Sequence, residues 1–70
     1  MPFKLSGRSK VTLTVYDLLG RLVRTLLADE ERAAGDHAVR FDANGLPSGT
    51  YVAVLSVNGL RRMTRMVLVK

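Results

Sequence analysis

Val11, Leu13 and Val15 alternate with Thr12, Thr14 and Tyr16. A period of two carried by β-branched residues marks a strand with one buried face. His37, Val39 and Phe41 alternate with Ala38, Arg40 and Asp42 in the same way, predicting a second strand. From Thr50 to Val57 the chain is nearly all apolar, the pattern of a strand covered on both faces. Asp42-Ala43-Asn44-Gly45 and Leu46-Pro47-Ser48-Gly49 are two successive turn signals, with glycine available for positive φ. Asn58-Gly59 stands between two β runs, the strongest short signal for a hairpin with a type I′ turn.

A two-residue loop at Asn58-Gly59 sets Val57 opposite Leu60, Leu55 opposite Arg62 and Tyr51 opposite Met66, and opposite residues share a face. Leu55 against Arg62 fits poorly if that face is core. A bulge near Arg61-Arg62, or a longer loop, would return Met66 and Leu68 to the apolar side; the pattern leaves these alternatives open. Residues 17 to 35 are ambiguous too. Leu18, Leu19, Leu22, Val23 and Leu26 recur at helical spacing, with Asp17 placed as N-cap and Gly35 just past the end. Periodicity alone gives an amphipathic helix. Against it, Gly20 would fall in the first turn at a cost of about 1 kcal/mol relative to Ala. Asp-x-x-Gly after a strong strand also suits a tight hairpin with glycine in the left-handed position.

Seventy residues make one domain at most, and so short a chain buries a smaller fraction of its surface than a larger one. The hydrophobic fraction of 47% is enough for a folded core. With no cysteine, neither a disulfide nor a thiolate metal site can staple it, so self-association as a homo-oligomer or an adjoining domain is expected. Eleven Lys and Arg against six Asp and Glu leave +5, a surface that favours acidic partners. The basic residues are spread along the chain, with one cluster at Arg61, Arg62 and Arg65. No apolar run approaches the roughly 20 residues of a spanning helix. Met1-Pro2-Phe3-Lys4-Leu5 is not followed by the apolar segment of a signal peptide.

Candidate chemistry is sparse. His37 is the sole histidine, which excludes a multi-histidine metal site within one chain. Ser48, His37 and Asp42 could be written as a triad, but no nucleophile elbow frames the serine; His37 reads better as a strand residue at a sheet rim. Asp17, Asp29, Glu30, Glu31, Asp36 and Asp42 lie in or beside predicted turns and suit turn capping. Gly20, Gly45, Gly49 and Gly59 are separate turn formers and make no phosphate loop. The expectation is therefore no catalytic residue, no cofactor, no metal and no small-molecule substrate. Binding of nucleic acid or another polyanion is the rival from another class, since a basic β-sheet with aromatics can stack bases. The chain has only Phe3, Tyr16, Phe41 and Tyr51 for that purpose. Phe41 and Tyr51 fall where alternation wants core, and no basic residue is interleaved with an exposed aromatic pair.

Several stretches, in order, resemble one family. Tyr16-Asp17-Leu18-Leu19-Gly20-Arg21-Leu22-Val23 is similar to a strand ending in Tyr-Asp, a Leu-Gly-Arg turn and a second strand. Asn44-Gly45-Leu46-Pro47-Ser48-Gly49-Thr50-Tyr51 follows, and Arg65-Met66-Val67-Leu68-Val69-Lys70 closes the chain. Together they resemble the C-terminal sorting domain of type IX secretion, a module of exported proteins in Bacteroidota-type bacteria. The Tyr-Asp-x-x-Gly-Arg and Ser-Gly-x-Tyr pattern is also similar to the immunoglobulin-like domain of the flagellar hook-capping protein; the basic Met-Val-Leu-Val-Lys end favours the sorting domain. The resemblance implies an all-β, immunoglobulin-like sandwich of about six to seven short antiparallel strands over residues 1–70, without the full first strand that family members carry upstream of Phe3. It resolves residues 17 to 35 as a turn, a strand from Arg21 to Leu27 and a loop from Ala28 to Gly35, with room for one helical turn at Asp29 to Ala33. It implies recognition without catalysis: an outer-membrane secretion machine reads the domain and delivers an attached passenger to the medium or cell surface. Arg65 and Lys70 are the residues it implies for direct contact, with Gly20, Gly49, Asn58 and Gly59 shaping the turns.

Overall fold

A computed structural model describes residues 2–41 and 44–69. Within them the chain forms β1 (Pro2–Leu5), β2 (Ser9–Asp17), β3 (Leu22–Arg32), β4 (Gly35–Ala38), β5 (Gly49–Val57) and β6 (Leu60–Leu68), with no helix. β1 and β4 pair as a two-stranded sheet, and the larger sheet runs β3-β2-β5-β6. Every pairing is antiparallel. The architecture is a small immunoglobulin-like sandwich.

The alternation of β2 works as its sequence requires. Val11, Leu13 and Val15 are the largest fully buried side chains, and they share one face with Leu27, Ala53 and Tyr51. Leu5 of the smaller sheet closes over Val11, Leu13, Leu27 and Ala53, helped by Phe3 and Val39. At the other end Val15, Tyr51 and Leu46 form a second cluster, with Phe41, Met66 and Leu68 against it. Each fully buried Val or Leu among them contributes about 1.5–3 kcal/mol. Both clusters lie on that one face. Val52 and Val54 point to the opposite face of β5, where they share a row with Thr12, Thr14 and Tyr16. β5 is thus layered on one face only, contrary to the expectation of two. Val54 is still buried, at 6% exposure, by its neighbours in the sheet.

β3 departs most from expectation. The strand does not stop at Leu27 but continues to Arg32, and residues 29 to 33 hold no helical turn. Three register slips explain the mixed pattern. Val11 faces Glu30 but Leu13 faces Leu27, so β3 spends one more residue than β2 over that step. The same happens between Leu13 and Thr14 and between Val15 and Tyr16. Each extra residue is a bulge that flips the side chains beyond it. Three flips turn a period of two into spacing that mimics a helix. At the first of them Asp29 takes positive φ, 49°, and its N–H donates to Thr12 Oγ1 at 3.1 Å. Glu30 and Glu31 consequently lie on the strand, where they pair with Arg32 and Arg8, and do not cap turns.

The β5–β6 register is that of a two-residue loop without slip: Val57 opposite Leu60, Leu55 opposite Arg62, Tyr51 opposite Met66. No bulge relieves Arg62. It is accommodated because the layer above ends short of β6, leaving Leu55 half-buried and Arg62 exposed. The strand expected from His37 to Phe41 is also shorter: β4 ends at Ala38, while Val39 and Phe41 still reach the core as loop residues.

Candidate functional site

Two turns fix the ends of the large sheet. After β2 the chain reverses through Leu18-Leu19-Gly20. Asp17 Oδ1 accepts from the N–H groups of Leu19 at 2.9 Å and Arg21 at 3.0 Å, while Oδ2 takes the Arg21 guanidinium at 2.8 Å. Gly20, at φ 82°, supplies the left-handed residue, which costs glycine no steric clash. The Arg21 N–H, helped by its guanidinium and the Leu19 N–H, holds the Asp17 carboxyl below its ordinary pKa of 3.8, against a smaller upward push from desolvation.

At the other end Asn58 and Gly59 turn β5 into β6 at φ 50° and 87°, the paired left-handed residues of a type I′ hairpin. Asn58 also grips the start of β2. Its N–H donates to the Lys10 carbonyl, its Oδ1 accepts from the Lys10 N–H, and its Nδ2 donates to Ser9 Oγ, each at 3.2 Å. This clamp joins residues 48 and 49 apart in sequence. Local sequence showed only the turn. Tyr51 is similarly tied, its hydroxyl donating to the Pro47 carbonyl at 2.6 Å, much as the tyrosine corner of immunoglobulin-type sandwiches pins a strand entry. Arg24 bridges to the Asn44 carbonyl at 2.6 Å and holds the preceding loop.

Held in this way, β6 forms one outer edge of the sheet. Arg61, Arg62 and Arg65 are exposed, as are Leu60, Met63 and Val67, at 79%, 69% and 68%. Arg61, Met63, Arg65 and Val67 share the outer face; Leu60, Arg62, Thr64 and Met66 share the core-side face. Charge is segregated to match. Residues 43 to 70 contain Arg61, Arg62, Arg65 and Lys70 and no acidic residue, whereas all six acidic residues lie in the first 42. The ion pairs among the described residues, Arg8–Glu31, Arg21–Asp17 and Arg32–Glu30, sit on the β2–β3 side. Between β1 and β6 lies an open groove of about 500 Å³, floored by Leu13, Ala53, Leu55 and Val57 and rimmed by Lys4 and Arg62.

The other candidates are not brought together. His37 lies on β4, stacked on Phe3 with centroids 5.3 Å apart, and its Nε2 bonds the Ala33 carbonyl at 2.6 Å. Asp42 and Lys70 lie outside the described residues. Among the described residues no cluster of His, Asp and Glu could hold a metal ion, and no helix is long and apolar enough to cross a membrane. A base-stacking platform lacks material: Tyr51 is buried, Phe41 packs on the core and Phe3 is stacked on His37, which leaves half-buried Tyr16 on the outer face.

The model of the family described as "Secretion system C-terminal sorting domain" matches residues 2–70. The chain belongs to that family. No curated protein and no solved structure matches it. Membership makes this sorting domain a signal for type IX secretion, carried to the medium or the cell surface as part of a larger exported protein, and it implies contact with the secretion machinery. The family is in general non-catalytic.

Proposed function

We propose that residues 1–70 act as a single folded sorting module, recognised through the β6 end of the sandwich, that carries an attached passenger through the outer-membrane secretion machinery. The observation that carries this reading is the family match over residues 2–70. The exposure of Arg65 on an edge strand supports recognition at β6. Arg65 and Lys70 make the direct contacts; Gly20, Gly49, Asn58 and Gly59 act by shaping the turns that hold the edge in position. The domain binds and does not transform. Self-association at micromolar concentration belongs to the same reading, with the groove between β1 and β6 as the apolar surface it covers.

The test is a reporter with an export signal, fused ahead of residues 1–70 in a type IX-competent bacterium. It is expected at the cell surface or in the medium, and deleting Arg65 to Lys70 is expected to leave it in the periplasm. Export that survives the deletion would place recognition elsewhere. Tight, salt-sensitive binding of DNA or RNA by the purified domain, with the reporter retained in the periplasm, would favour the nucleic-acid reading instead.

A further inference from the structure

The two edges of the large sheet differ. β3 is broken by three bulges, and bulges are a standard way to make an edge unreceptive. β6 keeps an unbroken register over all nine of its residues and contains no proline. Its hairpin turn makes Val57 and Leu60 a hydrogen-bonded pair, and bonded and non-bonded pairs alternate along the ladder. The N–H and C=O groups of Arg61, Met63, Arg65 and Val67 therefore point away from β5. A regular, open edge of this kind is a template for one more strand.

We propose that β6 receives an acidic, extended peptide segment as an added antiparallel strand. This deepens the sorting reading and rests on it, because it assigns the chemistry of the partner that meets Arg65. The side chains specify the occupant. On the outer face an added strand meets Val67, Arg65, Met63 and Arg61 in turn, so it carries apolar, acidic, apolar and acidic residues at alternate positions. On the other face a further carboxylate meets Arg62. Opposite charges directly across a ladder stabilise it and like charges do the reverse. None of Arg61, Arg62 and Arg65 makes an ion pair with a described residue, and the last 28 residues offer no carboxylate side chain. A second copy of the chain is the poorer occupant, since two-fold pairing of β6 with itself would crowd six arginines into one ribbon. The arginines thus disfavour self-pairing and admit an acidic partner.

The probe is a synthetic peptide reading Val-Thr-Glu-Thr-Val-Glu-Glu, with a twin carrying lysine for each glutamate. Added to residues 1–70, the acidic peptide is expected to slow hydrogen exchange at the amides of Arg61, Met63, Arg65 and Val67, and the lysine twin is not. Binding is expected to weaken as salt rises. The double variant R61E/R65E is expected to bind at least about tenfold more weakly, with unchanged circular dichroism because both side chains are exposed. Equal binding of the twins would overturn the proposal. So would protection confined to the groove between β1 and β6, or protection of the β6 amides by the domain alone at rising concentration. A reporter export assay separates the two levels. If R61E/R65E is exported as well as the parent, strand addition by an acidic segment and the direct contact assigned to Arg65 are both wrong, while the type IX sorting role stands. If the parent itself is not exported, the sorting reading fails.

Discussion

Asp17 shows how one side chain fixes a turn. Its carboxylate receives two backbone N–H groups and a guanidinium, and these hold its pKa below 3.8. A carboxyl whose pKa is lower folded than unfolded stabilises the fold above the unfolded value, and that contribution disappears as pH falls through the folded one. Acidification below about pH 4 is therefore expected to loosen the β2–β3 turn, read as chemical-shift changes at the Leu19 and Arg21 amides. Asp17→Asn should lower the melting temperature less than Asp17→Ala, because the amide oxygen still accepts; equal losses would contradict the assigned bonds. Tyr51→Phe leaves the ring packed and removes one hydrogen bond, for an expected loss of about 1 kcal/mol in chemical denaturation. Leu13→Ala removes a fully buried side chain. Its expected cost of about 2–5 kcal/mol is enough to unfold much of so small a protein.

At the scale of elements, legibility followed burial. β2 could be read directly because one face is fully buried and the register against β5 is unbroken. The Asn58-Gly59 hairpin was equally plain, since positive φ at two successive residues demands that chemistry. β3 was not plain. Bulges slip its period three times, and Leu18, Leu19 and Leu22, which complete an apparent helical stripe, are 66%, 78% and 55% exposed. Gly20 and the Asp-x-x-Gly turn spoke against a helix, and the Tyr16–Val23 resemblance decided for a strand. The Asn58 clamp on Lys10 and Ser9 was invisible because its partners are remote in sequence. Asn58→Gly keeps the turn and the backbone bond to the Lys10 carbonyl but loses the two side-chain bonds, so it is expected to speed amide exchange at Lys10 while β5 and β6 stay paired; unchanged exchange would deny the side chain its role. Arg65 was legible as exposed and basic, but only the structure shows that it stands on a regular, open edge.

Across the whole molecule, charge and layering are both lopsided. Every acidic residue precedes residue 43, the β6 edge carries three exposed arginines, and among the described residues the second sheet has two strands. The uncovered groove is expected to draw copies together, seen in sedimentation as a species heavier than 7.7 kDa that grows with concentration; a monomer throughout would show that the groove does not associate. The most direct test of the sorting reading is where a reporter ends up when residues 1–70 are its only addition. Carrying an inner-membrane export signal, it should appear on the surface or in the medium of a type IX-competent strain and stay in the periplasm of the same strain lacking the machinery. Equal distribution in the two strains would contradict the claim that this domain is a type IX sorting signal.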